Sequence, residues 1–217
     1  IARHRVTAFF LPPTVIYRLL DLPGIDANDF SSLRYFLYGA APMSLEKLKK
    51  AIEIFGPVMA GGYGQTEAPA SISFMRPDEH FSADGQLASD ERLASVGRAN
   101  ALNRVEIMDD ANRILGPGGT GEICLRGDLV MKGYYKQPDK TAETIVDGWL
   151  HTGDVGHIDA EGYVHITDRK KDMIISGGFN VYPSEVEQVI WAHPAVQDCA
   201  VIGVPDEQWG EAVKAVV

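Results

Sequence analysis

The chain has 217 residues, and its 20 lysines and arginines against 30 aspartates and glutamates give a formal net charge of −10. This length allows one or two domains with a sizeable core. The negative charge argues against non-specific binding to nucleic acid or to an anionic membrane, although a local positive pocket could still bind an anionic ligand.

The first 97 residues alternate between apolar runs and amphipathic segments. We predict strands at 6–11, 33–38 and 58–60, separated by helices at 14–20 and 45–55. Because parallel strands need crossover connections, this alternation predicts a parallel α/β sheet. The third strand is predicted to end in a glycine-rich turn.

From about residue 98 the pattern changes to short apolar runs that are separated by turn-forming residues. This pattern predicts a β-rich, barrel-like subdomain, with strands at 104–108, 120–125, 149–151 and 163–167 and one short helix at 139–145.

After residue 170 the chain restarts with a predicted strand at 173–175, a helix at 183–191 and a strand at 195–203. We therefore place a domain boundary at 169–171. The predicted division is 1–97 and 98–170 as two parts of a large domain, and 171–217 as the truncated start of a small α+β domain.

The two cysteines, Cys124 and Cys199, stand far apart in apolar runs, and we interpret them as buried reduced thiols. The sequence has no Cys/His cluster typical of zinc, no recognisable signal peptide and no apolar run of membrane-spanning length. These features predict a cytoplasmic protein without an integral membrane segment. Oligomers stay possible.

The stretch Gly-Gly-Tyr-Gly-Gln-Thr-Glu at 61–67 combines groups that suit a nucleotide. Tyr63 offers a ring for a base, Gly64 allows a tight turn, and Thr66 can donate to a phosphate oxygen. Glu67 can hold Mg²⁺, a hard cation that prefers carboxylate and phosphate oxygens. Taken alone, the same residues are equally consistent with an ordinary strand-to-loop turn.

Two charged residues further along the chain could hold the sugar of such a ligand. Asp154 follows Thr-Gly in a predicted turn, and a carboxylate can accept hydrogen bonds from two vicinal hydroxyls at once. Arg169 follows a predicted strand and could contact ribose or phosphate oxygens. In isolation, such an Asp more often caps a turn and such an Arg is more often a solvated surface residue.

Three stretches, YGQTE at 63–67, GWLHTGD at 148–154 and DRKKDMIISGGFNVYPSEVE at 168–187, resemble core motifs of the adenylate-forming superfamily. This superfamily includes acyl-CoA synthetases, adenylation domains and luciferases, and the resemblance covers essentially the whole chain. The chain is most similar to the C-terminal half of a fatty-acid or related acid–CoA ligase. The resemblance implies that Thr66 and Glu67 are catalytic and that Glu67 is the magnesium ligand.

The resemblance also implies binding roles for several sets of residues. The nucleotide would be contacted by Gly39, Ala40, Ala41, Tyr63, Gly64, Thr66, Asp154 and Arg169. CoA would be contacted by Ser176, Gly177, Gly178 and Trp209. Gly61 and Gly62 would leave room for the acyl group, and Lys171 would be the hinge between the large and small domains.

The implied activity is that of an acid–CoA ligase. Such an enzyme uses ATP and Mg²⁺ to join a carboxylate to AMP with release of pyrophosphate, and the thiol of CoA then displaces AMP. A pocket rim of small, uncharged residues favours a fatty or other hydrophobic acid.

The family's phosphate loop and its catalytic lysine are not found within the 217 residues, so we expect this chain by itself to form no acyl-adenylate at a useful rate. Two alternatives stay open at this point. One is an adenylation enzyme that loads the thiol of a carrier protein, and the other is a non-catalytic nucleotide-binding module.

Overall fold

The structure, a computed structural model, describes residues 1–193, 195, 196 and 198–217. Within these residues the chain forms three β-sheets that follow one another along the sequence. The first two sheets contribute the cleft described below, and the third sheet belongs to the C-terminal part of the chain.

The first sheet combines parallel and antiparallel pairing. Its strands are, in spatial order, β1 (Ala8–Leu11), β2 (Tyr35–Gly39), β3 (Met59–Gln65), β4 (Ala68–Met75) and β5 (Arg98–Ala99). The first three strands are parallel, as predicted, and the helices α1 (Pro13–Leu20) and α2 (Leu45–Phe55) form their crossovers. The antiparallel strands β4 and β5 were not predicted.

The core of this first layer is aromatic. Phe36 of β2 is fully buried, and its ring centroid lies 4.2 Å from that of Phe9 and 5.0 Å from that of Phe55. Ile16 of α1 and Leu48 of α2 are also buried in this cluster. Burying the apolar side of each helix against the sheet is the main source of stability for such a layer.

The prediction that the third strand ends at residue 60 in a glycine-rich turn is wrong. The strand β3 continues through Gly61 and Gly62 to Gln65. β4 pairs with this stretch and supplies the hydrogen bonds that keep it extended. A Cβ atom at Gly61 would lie 2.9 Å from the ring of Tyr38. Glycine is therefore required at position 61 by close packing in the sheet and not by a turn.

The second sheet confirms the β-rich region of the predicted fold. Its strands are β6 (Asn103–Met108), β7 (Gly121–Gly127), β8 (Ile145–Val146), β9 (Trp149–Ile158) and β10 (Val164–Arg169). They pair antiparallel in the order β10-β9-β7-β6, with β8 beside β9, so this order leaves β10 and β6 at the two edges of the sheet. The short helix α4 (Pro138–Thr144) contacts β8 and β9 of this sheet, whereas α3 (Asp90–Leu93) packs its Leu93 into the core of the first sheet.

The third sheet contains β11 (Ile174–Ser176), β12 (Phe179–Val181), β13 (Ala200–Asp206) and β14 (Gly210–Val216), in the order β12-β11-β14-β13. The helix α5 (Pro183–Trp191) coincides with the predicted helix. The strand predicted at 195–203 begins instead at Ala200, and its residue Gln197 lies outside the described residues.

Both cysteines are buried and free of disulfide bonds, as expected. Burial raises the pKa of the Cys124 thiol to about 12, so this group stays protonated at neutral pH. Among the residues that the structure describes, no helix is long and apolar enough to cross a membrane.

His80 is a buried residue that joins the first sheet to the segment after β4. Its Nδ1 lies 2.9 Å from the carbonyl oxygen of Arg76, which can only accept, so Nδ1 carries the proton. Its Nε2 therefore accepts the hydrogen bond from the Tyr38 hydroxyl, at 3.0 Å. Burial lowers the pKa of His80 below its ordinary value of 6.5.

Because the folded pKa of His80 is lowered, the unfolded chain binds more protons between that pKa and 6.5. The free energy of unfolding is therefore expected to fall as the pH falls below about 6.5. In the variant His80→Gln, whose amide can keep both hydrogen bonds, the pH dependence should be shallower. Urea unfolding between about pH 5 and pH 7.5 measures this, and equal slopes in both proteins would contradict it.

Candidate functional site

An open cleft of about 1220 Å³ lies where the C-terminal ends of β2 and β3 meet the middle of β9, at Thr152 and Gly153, and the C-terminal end of β10. It gathers most of the predicted nucleotide-binding residues, namely Gly39, Ala40, Tyr63, Gly64, Thr66 and Arg169. Glu67, Gly62 and Lys171 also line it, whereas Ala41, Gly61 and Asp154 are not among its lining residues. Segments that are distant in sequence thus converge on one concave surface, as ligand sites generally require.

The backbone is unusually tight at Gly39 and Ala40. Ala40 adopts φ +67°, a left-handed conformation that costs a residue with a Cβ atom roughly 1 kcal/mol. A Cβ atom at Gly39 would lie 2.5 Å from the carbonyl oxygen of Gly62. The close approach of β2 and β3 explains the need for small residues here, and backbone strain of this kind often marks a functional site.

Asp154 is held by residues of the other sheet. Its Oδ2 accepts hydrogen bonds from the Tyr63 hydroxyl at 2.5 Å and from Gln65 Nε2 at 2.9 Å. Gln65 Nε2 also donates to the carbonyl oxygen of Thr152 at 2.8 Å. Burial, followed by the charge of Asp154, raises the pKa of Tyr63, so its hydroxyl remains a donor.

Asp154 lies within β9 and not in the predicted turn, and only 7% of its side chain is exposed. It faces Arg169 across the β9–β10 pair, and Arg169 Nε is 3.4 Å from its Oδ1. The carboxylate therefore lies behind Tyr63 and Arg169, which themselves line the cleft. A sugar hydroxyl would reach this carboxylate by replacing one of these partners.

Glu67 lies in the turn between β3 and β4, and its side chain is held by a residue outside the 63–67 motif. The hydroxyl of Tyr134 donates to Glu67 Oε1 at 2.6 Å, and the N–H of Met131 donates to the Glu67 carbonyl oxygen at 2.7 Å. The N–H of Tyr134 donates in turn to Thr141 Oγ1 of α4. A carboxylate held in this way at the cleft has the donor chemistry that a hard cation such as Mg²⁺ prefers.

The residues predicted to contact CoA lie on the third sheet, outside the set that lines the cleft. Ser176 ends β11, and Gly177 and Gly178 form a tight turn with φ values of +58° and +83°. The N–H of Gly177 donates to the carbonyl oxygen of Trp209 at 2.8 Å, and a Cβ atom at Gly177 would lie 2.6 Å from the Trp209 ring. The structure thus brings Gly177 and Trp209 into contact, with 51% of Trp209 exposed.

Three residues beside the cleft were not singled out from the sequence as candidates. Glu122 Oε2 lies 3.2 Å from His151 Nδ1, which is 3.5 Å from Cys124 Sγ. These three side chains are close enough to share a metal ion. However, the Gly153 amide and the Lys170 ammonium already contact the Glu122 carboxylate, so its oxygens are engaged within the protein.

The partners Gln65, Tyr134 and Glu122 could be assigned only from the fold. Gln65 stands inside a recognised motif, but its side chain is defined by contacts with β9, almost ninety residues along the chain. Tyr134 and Glu122 lie in stretches with no local sequence signal for the site.

Two models of protein families match the chain. One, described as AMP-binding enzyme, matches residues 1–135, and the other, described as AMP-binding enzyme C-terminal domain, matches residues 185–217. The first match alone spans more than half of the chain.

Curated relatives match the chain over nearly all of its length. A medium/long-chain-fatty-acid–CoA ligase of Mycobacterium tuberculosis is 45% identical over 100% of this chain and 37% of its own length. A fatty acid–[acyl-carrier-protein] ligase of Streptomyces coeruleorubidus is 40% identical over 98% of this chain and 40% of its own length. The chain therefore spans about two fifths of the length of these relatives.

A solved structure of similar shape is the o-succinylbenzoate CoA synthetase from Bacillus subtilis in complex with ATP and magnesium ion. Its TM-score to this chain is 0.83 at 33% identity, and the match covers 99% of this chain and 42% of that protein. This likeness confirms the predicted α/β fold class.

Proposed function

The chain belongs to the AMP-binding enzyme family, and we propose that the whole protein is an ATP-dependent, AMP-forming acid–CoA ligase. It would join a carboxylate to AMP with release of pyrophosphate, and CoA would then displace AMP to form the acyl-CoA. The observation that supports this most directly is the convergence of the 63–67 motif and Arg169 on one cleft, with Asp154 directly behind them.

The nucleotide would lie along the β2 and β3 ends of the cleft. Tyr63 offers its ring to the adenine, and the small residues Gly39 and Ala40 allow the base to approach the backbone. Ala41 is proposed as an outer contact of the same turn. Asp154 and Arg169 would hold the ribose, with Arg169 shared between the carboxylate and the ligand.

Thr66 and Glu67 form the end of the cleft that suits the phosphates. Thr66 is exposed and can donate its hydroxyl to a phosphate oxygen, and Glu67 would hold Mg²⁺. A magnesium ion bound there would neutralise charge on the phosphates. The chain's own contribution is to fix the carboxylate of Glu67 through Tyr134, so that it needs little reorganisation.

We propose a fatty or other hydrophobic acid as the substrate. Phe10, Leu37 and Phe74 give the cleft an apolar wall next to Gly62, and the medium/long-chain-fatty-acid–CoA ligase has a related sequence. Of the two glycines assigned to the acyl pocket, Gly62 lines the cleft and Gly61 does not.

A tryptophan at position 62 should shorten the acids that the whole protein accepts. A Cβ atom at Gly62 meets only the Phe74 ring, at 3.8 Å, so a larger side chain can extend from there along the cleft. In Gly62→Trp we expect kcat/KM for long-chain acids to fall at least about tenfold relative to short ones. Gly62→Ala is the matched control, and an unchanged chain-length profile in Gly62→Trp would refute the assignment.

For the second half-reaction we propose a division into 1–97 and 98–170 as parts of a large domain and 171–217 as part of a small one. Lys171 is exposed at the junction and would be the hinge. The Ser176, Gly177 and Gly178 turn, together with Trp209, would then form the binding surface for CoA.

A carrier-protein thiol as the acceptor is the second candidate, because a fatty acid–[acyl-carrier-protein] ligase is 40% identical to the chain. The two acceptors can be compared by giving the whole protein ATP and a radiolabelled acid with either free CoA or a phosphopantetheinylated carrier protein. Thioester on free CoA supports the first proposal, and thioester found only on the carrier protein supports the second.

The general test is a panel of carboxylic acids with the whole protein, ATP, Mg²⁺ and CoA, followed by release of AMP. Nucleotide binding without AMP or pyrophosphate release for any acid would favour the non-catalytic module. The 217-residue chain should by itself release no pyrophosphate. Detectable release from it would refute our expectation that residues beyond this chain are needed for adenylation.

A further inference from the structure

β9 contains a bulge directly before Asp154. In its pairing with β7, Cys124 faces His151 and Glu122 faces Val155, so Ile123 alone is opposite the three residues 152–154. The extra residues cannot all find ladder partners, and their backbone groups need other hydrogen bonds.

Side chains supply those hydrogen bonds. Glu122 Oε1 accepts from the N–H of Gly153 at 2.9 Å. Thr152 Oγ1 donates to the carbonyl oxygen of Ile123 at 2.7 Å and accepts from the N–H of Asp154 at 3.1 Å. Gly153 itself has φ +75°, so the bulge depends on these specific contacts and on a glycine.

The same carboxylate reaches the strand on the other side of the bulge. Lys170 Nζ lies 3.4 Å from Glu122 Oε2, and the N–H of Lys170 donates to the carbonyl oxygen of Gly153 at 2.8 Å. The two peptide groups that flank the Gly153 Cα are therefore held, one through the Gly153 N–H by Glu122 and the other through the Gly153 C=O by the Lys170 amide. Gly153 precedes Asp154 and Lys170 follows Arg169, so the contacts surround the Asp154–Arg169 pair.

Glu122 is also well shielded, since only 12% of its side chain is exposed. Hydrogen bonds to a charged group in such surroundings are stronger than neutral ones and tolerate little misalignment. Glu122 thus contacts the backbone before Asp154 directly, through the Gly153 amide, and reaches the residue after Arg169 through the Lys170 ammonium, without lining the cleft.

We propose that Glu122 is a positioning residue for ribose recognition, which holds the Gly153 bulge and Lys170 so that Asp154 and Arg169 present their charged groups to the sugar. This inference rests on the proposed function and adds a residue to it. It predicts that loss of the Glu122 charge weakens discrimination at the ribose hydroxyls more than it weakens nucleotide binding in general.

The test compares the affinities of the whole protein for ATP and for 2′,3′-dideoxy-ATP by titration calorimetry. The unchanged protein should prefer ATP by about tenfold or more, because the dideoxy analogue lacks the two hydroxyls that would donate to Asp154 and so loses those hydrogen bonds to a carboxylate. In Glu122→Gln we expect the preference to fall to about threefold or less. Glu106→Gln, on the neighbouring strand β6, is the matched control and should keep the full preference.

The ratio of the two affinities separates a positioning role from general structural damage, because such damage would weaken the binding of both nucleotides alike. A full preference for ATP in folded Glu122→Gln overturns this inference and leaves the proposed function standing. No preference in the unchanged protein overturns the ribose role of Asp154 and this inference with it. If Glu122→Gln does not fold, Lys170→Met keeps the backbone bond to Gly153 and takes over the test. Because the Lys170 ammonium also lies 2.9 Å from the exposed Asp110, Asp110→Asn is its control. A ratio reduced in Lys170→Met but not in Asp110→Asn supports the inference, and an unchanged ratio in Lys170→Met, or an equal reduction in both variants, overturns it.

Discussion

Replacement of Glu67 by Gln in the whole protein is expected to lower the rate of acyl-adenylate formation on the order of a hundredfold or more. The amide keeps the shape of the side chain but loses the negative charge that would bind Mg²⁺. Glu67 lines the cleft in the turn after β3, where we propose that the phosphates of the nucleotide bind and their charge would have to be neutralised. Acid-dependent exchange of pyrophosphate into ATP, measured over a range of Mg²⁺ concentrations, gives the rate.

The variant Tyr134→Phe tests whether the hydrogen bond that holds the Glu67 carboxylate contributes to its role. It removes the hydrogen bond of 2.6 Å to Glu67 Oε1 and leaves the charge in place. We therefore expect a smaller loss of rate and a higher Mg²⁺ concentration for half-maximal activity. Glu143→Gln, at an exposed position of α4, should change neither quantity. A Glu67→Gln enzyme with the normal rate and Mg²⁺ dependence would exclude Glu67 as the metal ligand.

The elements that the sequence predicted best are those with a strong local pattern. The helices at 45–55 and 183–191 coincide with the observed ones, because their polar and apolar residues alternate with helical spacing. The parallel order of β1 to β3 follows from the intervening helices. The continuation of β3 through its glycines could not be predicted, since it depends on β4 and on the ring of Tyr38.

The residues of the candidate site also fall into those that local sequence patterns predict and those that depend on contacts between distant segments. Tyr63, Glu67 and Arg169 could be proposed from linear motifs, and the structure places all three at one cleft. The burial of Asp154 behind two of its partners, and the roles of Tyr134 and Glu122, arise from contacts between strands that are far apart in sequence. The motifs therefore identify groups that line the cleft, whereas the residues that hold those groups become visible only in the fold.

The substitution Gly156→Ala is expected to lower the free energy of unfolding by at least about 3 kcal/mol. A Cβ atom at Gly156 would lie 2.0 Å from the carbonyl oxygen of His165 and 3.1 Å from Ile123 Cδ1. The nearer atom belongs to the backbone of the adjacent strand β10, so no side-chain rotation can make room.

Relief of this contact would require β9 to move away from β10, two residues beyond the position where Asp154 faces Arg169. The same change should therefore weaken binding of ATP in any molecules that still fold. Gly116→Ala is the matched control, because a Cβ atom there meets nothing within 4 Å. Urea unfolding of the two variants, monitored by circular dichroism, measures the difference. Equal stability of Gly156→Ala and Gly116→Ala would show that β9 and β10 do not approach as closely as described, and the pairing of Asp154 with Arg169 would lose its structural basis.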